Sequence, residues 1–340
     1  MDMRVTYLET GSRDPFYNLA FEEYVLANRP EGDYLILWQN DNTVVIGQNQ
    51  NTEEEIDRAF VEAHGVRVVR RTTGGGAVYH DLGNLNYSFI TDAGETEKLT
   101  MERFTKPVVS ALRGLGLQAE ASGRNDILVE GKKVSGTAQR LLNGRILHHG
   151  TLLFDTDSDK VAGALRADPE KFRSKSAKSV RSRVGNIRDF LREDMDLPAF
   201  WIYLKTTLAG EGFMTGALKS EELEAVEVLK RSRYDTWEWN FGRSPAYDKI
   251  NKRHWGGGSL EVQISVKEGQ ITRVAFRGDF LSRCSLDPLK EALKGVRFRR
   301  EDVAGVLGWY PLRDYFGDIT GKEILDTMFY RQKENEAACD

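Results

Sequence analysis

The chain is 340 residues long, 40% hydrophobic and 29% charged, with 48 basic against 52 acidic residues and a formal net charge of −4. Such a chain is expected to be a soluble protein of two domains, and its near-balanced charge gives no bulk attraction to nucleic acid or anionic lipid, so any anion site has to be local. No run approaches 18 apolar residues, the first residues lack an apolar signal core, and cysteine occurs only at Cys284 and Cys339; this argues against a membrane span, secretion, a disulfide scaffold or a cysteine zinc site, and for a reducing cytoplasm.

Along the chain, Asp14-Pro15 precedes a helical pattern over 16–26. Residues 34–38 and 43–47 read as strands, and Asn40-Asp41-Asn42 between them has turn chemistry, which predicts a hairpin. Thr52-Glu53-Glu54-Glu55 matches a capping box and predicts one helix running to about His64. Strand patterns over 66–69 and 85–90 flank the segment Arg70-Arg71-Thr72-Thr73-Gly74-Gly75-Gly76-Ala77-Val78-Tyr79-His80-Asp81. A helix is predicted over 100–115 from Phe104, Val108, Ala111 and Leu112. Strands follow over 126–129, 133–138 and 146–154, then helices over 198–208 and 220–231. The first 240 residues thus mix a largely antiparallel sheet with helices, an α+β arrangement. After Gly242 and Pro245, Leu260, Val262, Ile264 and Val266 alternate strictly. A Glu268-Gly269 turn returns the chain over 271–276, and helical stretches follow near 287–294, 300–308 and 320–330. The expected boundaries are a domain over 1–245, a linker over 246–252 and a small α+β domain over 253–340.

Three glycines inside a strand pattern mark a close approach of backbone to something else. With two arginines before them, that something is expected to be anionic: peptide N–H groups and guanidinium donors suit phosphate oxygens. A flexible loop with solvated arginines is the competing reading. A second cationic segment, 171–183, places six positive charges and no negative one in thirteen residues; it reads either as a phosphate-gripping loop or as a solvated surface run. Lys133 opens an apolar strand just before Ser135-Gly136, an unusual place for lysine. Aimed at a carboxylate and a phosphate together, it would stabilise charge developing in acyl-phosphate chemistry; aimed at solvent, it is a lysine near a turn. His148 and His149 would point to opposite faces of their strand.

Taken in order, Arg70-Arg71-x-x-Gly74-Gly75-Gly76-Ala77-Val78-x-His80-Asp81, Gly123-Arg124-Asn125-Asp126, Lys133-Val134-Ser135-Gly136, His148-His149-Gly150-Thr151-Leu152, Ser179-Val180-Arg181-Ser182-Arg183-Val184-x-Asn186 and Trp237-x-Trp239-Asn240-Phe241-Gly242 resemble bacterial lipoate–protein ligase A over nearly the whole chain. The resemblance implies a biotin-ligase-like α+β catalytic domain with a mixed, largely antiparallel sheet, and a small α+β C-terminal accessory domain. It implies activation of (R)-lipoate by ATP and Mg2+ to lipoyl-adenylate. Transfer to a lysine of carrier domains follows, on E2 subunits of 2-oxoacid dehydrogenases and the glycine cleavage H protein. By the same resemblance Lys133 is the catalytic residue. Arg71, Gly75, Gly76, Ala77, Val78, Tyr79, Asn84, Lys133, Ser135, Ala138, Lys178 and Arg181 would bind ATP or the adenylate. Glu22, Trp38, Arg71, Lys133, Leu147 and His149 would surround the lipoyl group. Asp126 is a candidate Mg2+ ligand, because hard cations prefer carboxylate oxygen, or else a turn-forming residue. His80 and His149 stay open as bases for the carrier amine or as residues that line the pocket.

Such chemistry needs no protein nucleophile; it needs positioning, charge neutralisation and exclusion of water. A lipoyl or octanoyl transferase lacking the activation step is the nearest rival. Its common version uses a cysteine, and this chain has none before Cys284. A non-catalytic lipoate- or nucleotide-binding regulator is the other alternative.

Overall fold

Alternation along the strands sorts the apolar side chains of the first unit into two layers. The computed structural model describes residues 5–94, 101–123, 125–165, 184–241, 249–267 and 269–329. They fall into two compact units, Met1–Arg243 and Ser244–Asp340. The first holds an eight-stranded mixed sheet in the order β11-β1-β2-β6-β10-β9-β8-β7. Its strands are β1 Thr6–Glu9, β2 Tyr34–Trp38, β6 Asn84–Asp92, β7 Ala119–Ser122, β8 Asp126–Val129, β9 Lys132–Leu142, β10 Arg145–Leu153 and β11 Met214–Thr215. Strand β1 runs parallel to β2 and β11; the other neighbours are antiparallel. In β2, Leu35 and Leu37 point to one face, packed with Leu85, Tyr87, Leu152 and the helices α4 Met101–Gly114 and Leu197–Ala209. Ile36 and Trp38 point to the other face, with Ile90, Leu147 and helix α1 Pro15–Asn28. Burying both faces in this way requires the apolar residues to follow a period of two along each strand.

A second, three-stranded sheet lies over the α1 face. Its order is β4-β3-β5, from β3 Thr43–Ile46, β4 Arg67–Arg70 and β5 Val78–His80. Val45 and Val69 join the layer of Trp38 and Leu147, while Val44, Ile46 and Val68 form a separate outer cluster. This corrects the expected hairpin. Strand β2 pairs with β1 and β6, whereas β3 pairs parallel to β4 and antiparallel to β5. The turn at Asn40–Asn42 carries the chain from one sheet to the other, with Asn42 in the left-handed region at φ 42° and the Thr43 hydroxyl donating to the Asp41 carbonyl.

The single helix expected over 52–64 is broken in two, α2 Thr52–Glu55 and α3 Arg58–Ala63. Asp57 caps the second piece by accepting from the Phe60 amide at 2.9 Å. Thr52 is not a cap: its hydroxyl donates to the Asn240 carbonyl at 2.5 Å. Helix α5 spans Ser158–Ala164.

In the second unit β12 Lys249–Trp255, β13 Gly258–Lys267 and β14 Gln270–Arg277 form an antiparallel sheet. Leu260, Val262 and Ile264 pack against Leu289, Val303, Phe316 and Ile324 of four short helices. The expected linker over 246–252 runs into β12: residues 249–252 are paired with β13, and 246–248 lie outside the described residues. Strand β12 is an edge strand rich in charge, so its composition resembles a loop. No helix among the described residues is long and apolar enough to cross a membrane.

Candidate active site

The β ladder itself builds the floor of a cleft. Register places Ile36, Ser88, His149 and Ala138 in one row across β2, β6, β10 and β9, with Trp38, Asn86 and Thr151 in the next. All of these lie on the face of the large sheet that packs against α1 and the small sheet; Val45, Val78 and His80 of the small sheet, with Arg71, Gly76 and Ala77 of the loop between β4 and β5, form the opposite wall. The space between is about 580 Å³, continuous with solvent, and Trp38, Asn86, Lys133, Gly136, Ala138 and His149 line its other side.

Lys133 reaches this cleft through a register shift. Ile127 stands opposite Ser135 and Leu128 opposite Lys133, so Val134 is an extra residue on β9, a β-bulge. Without it, Val134 would share the face of Gly136 and Ala138, and Lys133 would point away. With it, Val134 joins the core beside Ile127 and Val129, and Lys133 turns toward the cleft. The Lys133 ammonium lies 2.7 Å from Asp126 Oδ1. Asp126 is therefore the partner of Lys133, and among the described residues no three His, Cys, Asp or Glu side chains converge as a metal cage would require. A Cβ added at Gly136 would sit 3.2 Å from Lys133 Nζ and 3.3 Å from its Cε. Gly136→Ala is expected to push the lysine aside and slow activation by about 10- to 100-fold, the usual cost of misplacing a reacting group by about an ångström. Turnover near the parent rate, in a variant of unchanged melting temperature, would contradict this.

The two arginines before the glycines have different roles. Arg70 does not face the cleft. Its guanidinium donates to the carbonyls of Gly47, Gln48, Gln50, Trp239 and Asn240 and to the Thr52 hydroxyl. The expectation that both arginines serve an anion is corrected accordingly. Arg71 lines the cleft, but most of its donors hold the glycine loop: Nη2 donates to the Gly74 and Gly76 carbonyls at 2.6 and 2.8 Å, Nη1 to the Val45 carbonyl, and Nε to Thr73 Oγ1 at 2.9 Å. Of five guanidinium hydrogens, one on Nη1 is left for a ligand. Burial lowers the Arg71 guanidinium to about 10, with the charge of Glu22 opposing the shift, so it stays cationic at neutral pH. Two glycines here are needed sterically: Gly75 has φ 87°, and a Cβ at Gly47 would lie 2.0 Å from the Gly75 carbonyl oxygen.

A buried hydrogen-bond chain then links Trp38 to Arg71. Trp38 Nε1 donates to Ser88 Oγ at 2.8 Å, and Ser88 donates to Glu22 Oε1 at 2.5 Å. Glu22 meets His149 Nδ1 at 2.9 Å, His149 Nε2 meets Thr73 Oγ1 at 2.8 Å, and Thr73 accepts from Arg71. One closed polarity has His149 Nδ1–H donating to the Glu22 carboxylate and the Thr73 hydroxyl, which accepts from Arg71, donating to Nε2. Four expected residues, Glu22, Trp38, Arg71 and His149, thus form one unit with Ser88 and Thr73, which the sequence did not single out.

Other expected residues stand behind the wall. Tyr79 is buried in the outer cluster and donates to Asn42 Oδ1. Leu147 is core, Ser135 is fully buried, and Gly75 is buried within the loop. Asn84 is also fully buried; its Nδ2 donates to Asn86 Oδ1, which leaves Asn86 Nδ2 on the cleft side without a partner among the described residues. Asn86 is thus a candidate that sequence reasoning missed. Lys178 and Arg181, with the rest of the basic segment 171–183, lie outside the described residues. Its C-terminal flank is fixed: the Gly185 amide donates to the Lys133 carbonyl at 3.0 Å, and Asn186 exchanges hydrogen bonds with the Thr156 backbone.

His148 points to the opposite face from His149, as expected, and stacks on Phe104 at 4.9 Å. Burial lowers both His80 and His148 from 6.5 to about 3. Between those values the unfolded chain binds more protons than the folded one, so stability is full above about pH 6.5 and falls as pH drops toward 3. At about 1.4 kcal/mol per unit for each ring, the loss at pH 5.5 is about 2–3 kcal/mol. Melting temperature at pH 5.5 is expected to lie several degrees below that at pH 7.5, with the difference roughly halved in His148→Phe; a flat profile would contradict the assignment.

The lipoyl protein ligase A/B catalytic domain model matches residues 14–209, and the bacterial lipoate protein ligase C-terminus model matches residues 244–328. The chain belongs to the lipoate–protein ligase family. The Bacillus subtilis lipoate-protein ligase LplJ is 41% identical over 321 residues, covering 93% of this chain and 97% of that protein. Among solved structures, a bipartite lipoate protein ligase from Thermoplasma acidophilum, described with its E2 lipoyl domain, is 33% identical with a TM-score of 0.61, covering 73% of this chain and all of that one. A crystal structure of lipoate-protein ligase A bound with ATP is 30% identical with a TM-score of 0.59, covering 71% of this chain and 99% of that one. The cleft between the two sheets brings together Arg71, Gly76–Val78 and His80 of the first motif, Asn125 of the second, Lys133 and Gly136 of the third and His149–Thr151 of the fourth.

Proposed function

We propose that this protein is an ATP-dependent, AMP-forming lipoate–protein ligase. In the first half-reaction a lipoate carboxylate oxygen attacks the α-phosphorus of ATP, a P–O bond forms, and pyrophosphate leaves. In the second, the ε-amine of a carrier lysine attacks the acyl carbon, AMP leaves, and the amine loses a proton to solvent or to AMP. Lys133, which lines the cleft, is assigned to neutralise the carboxylate before attack and the phosphoryl oxygen after it. Arg71 offers its remaining Nη1 hydrogen to the same anion, and Gly76, Ala77 and Val78 allow close approach of the nucleotide. Trp38, Leu19 and Val45 supply apolar wall for the lipoyl tail, with Glu22 and His149 fixed behind it. Ala138 borders the acyl link. Lys178 and Arg181 are assigned to the adenylate on the motif alone. Mg2+ is proposed to arrive on the ATP phosphates, as part of the substrate, because hard cations of this size usually bind substrate phosphates with few protein ligands. Carriers are proposed to be lipoyl domains of E2 subunits and the H protein; the relative described with an E2 lipoyl domain supports the first.

The observation that carries this reading is the convergence of Lys133, Arg71 and Gly76–Val78 on one cleft, in a chain 41% identical to a lipoate-protein ligase. It is tested by lipoate-dependent exchange of pyrophosphate into ATP. Exchange that requires lipoate is expected. Its absence, with transfer from a preformed adenylate intact, would make the protein a transferase instead.

A further inference from the structure

His80 lines the cleft from β5 and is 3% exposed. Its Nδ1 stands 3.1 Å from Asn40 Nδ2. An amide nitrogen only donates, so Nδ1 is the acceptor. The orientation of Asn40 is itself fixed, because its Oδ1 accepts from Asn18 Nδ2 at 2.9 Å. Asn18 Nδ2 also donates to the carbonyls of Ser12 and Gln39, at 3.2 and 2.7 Å. Flipping either amide would set oxygen against oxygen or donor against donor. The proton of the neutral ring is therefore on Nε2, which has no partner among the described residues. An enclosed donor left without an acceptor is costly, and the cleft is where a ligand would supply one.

We propose that His80 is a neutral Nε2–H donor to an anionic oxygen of the bound acyl or phosphoryl group, and that Asn18 and Asn40 are positioning residues that hold its tautomer. The identity of the ligand rests on the ligase reading; the tautomer does not. The groups facing the ring all oppose a charge on it or leave it unpaired. Arg71 and His149 face it, Glu22 is occupied by His149 and Ser88, and the Trp38 ring meets it edge-on at 6.3 Å. Burial, Arg71 and His149 together keep it neutral at working pH. The consequence concerns water. The only basic lone pair of the ring is occupied by the Asn40 N–H, so His80 cannot take a proton from a water molecule and turn it on the mixed anhydride. It stabilises negative charge without giving up or accepting a proton, as a fixed dipole does.

The test uses full-length protein labelled with 15N-histidine, with the His80 signals assigned by their loss in His80→Gln. The Nε2-protonated tautomer is expected from pH 5.5 to 8.5, without titration. A protonated Nδ1, or a midpoint inside that range, would overturn the proposal. Adding lipoate alone, ATP alone or both is expected to move the Nε2–H signal. A response to lipoate places the acyl carboxylate there, a response to ATP places the phosphoryl group, and a response only to both places the adenylate; no response to any of them would overturn it. His80→Ala is expected to lose at least tenfold in lipoate-dependent exchange. Asn40→Asp, whose carboxylate accepts an Nδ1–H, is expected to reverse the tautomer and bring a titration into the pH profile of exchange. Unchanged exchange in His80→Ala, with an active parent, defeats this inference alone. A parent that shows the tautomer and no exchange defeats the ligase reading alone.

Discussion

Lys133→Ala is expected to lose about 1,000-fold in lipoyl-adenylate formation while melting within about 2 °C of the parent protein. The rate loss follows from the charge. The attacking carboxylate and the phosphoryl group are both anionic, and the ammonium is the cation that β9 presents to the cleft; removing one preorganised donor of this kind costs about 100- to 1,000-fold in other active sites. The small stability effect follows from exposure. Lys133 and Asp126 are each about one-third exposed, a setting in which an ion pair contributes less than about 1 kcal/mol. The bulge that aims the lysine is built from backbone and Val134, which the substitution leaves in place. Calorimetry and pyrophosphate exchange on the same preparation check both halves. A folded variant with near-normal exchange would remove Lys133 from the chemistry.

Arg70→Ala is expected to show the reverse pattern, a loss of about 3–5 kcal/mol in stability, or about 10 °C in melting temperature. Five backbone carbonyls and a hydroxyl accept from this one buried guanidinium. Each carbonyl left enclosed without a donor costs about 1–3 kcal/mol, offset in part by relaxation. Arg70→Lys is expected to recover little, since an ammonium has three donors and no fork. A melting temperature within about 2 °C of the parent would contradict the structural assignment. Arg71 differs because it faces the cleft: replacing it removes the support of the glycine loop and the contact proposed above to the substrate anion.

The contrast between these neighbours shows where sequence reasoning stops. Side chains of consecutive strand residues point to opposite faces, so one arginine of the pair had to leave the cleft. Which one depends on the register of β4 with β3, and no composition signals that. Lys133 was legible as an unusual strand lysine, but the extra residue that aims it, Val134, looks like any core valine. The central strands were legible because both faces of the sheet are buried and the apolar period is strong in β2, β6 and β10. The Asn40–Asn42 turn was legible as a turn, yet turn chemistry says only that the chain changes direction. It does not say which sheet the chain enters. Strand β12 was missed because an exposed edge strand needs few apolar residues. The break at Ile56-Asp57 was missed because a capping box was read at Thr52, whose hydroxyl is instead held by Asn240. Asn18, Asn40 and His80 come from three separate elements, and only the fold brings them into a chain.

The central claim is that Lys133 and the glycine loop hold the two ends of one mixed anhydride. The most direct measurement is a crystal structure with a non-hydrolysable lipoyl-adenylate analogue. The account predicts the phosphoryl group against the backbone of residues 76–78, the acyl link within hydrogen-bond reach of Lys133 Nζ, and the lipoyl tail beside Trp38. An analogue seated elsewhere, or one whose phosphoryl group lies away from both the loop and the lysine, would contradict it.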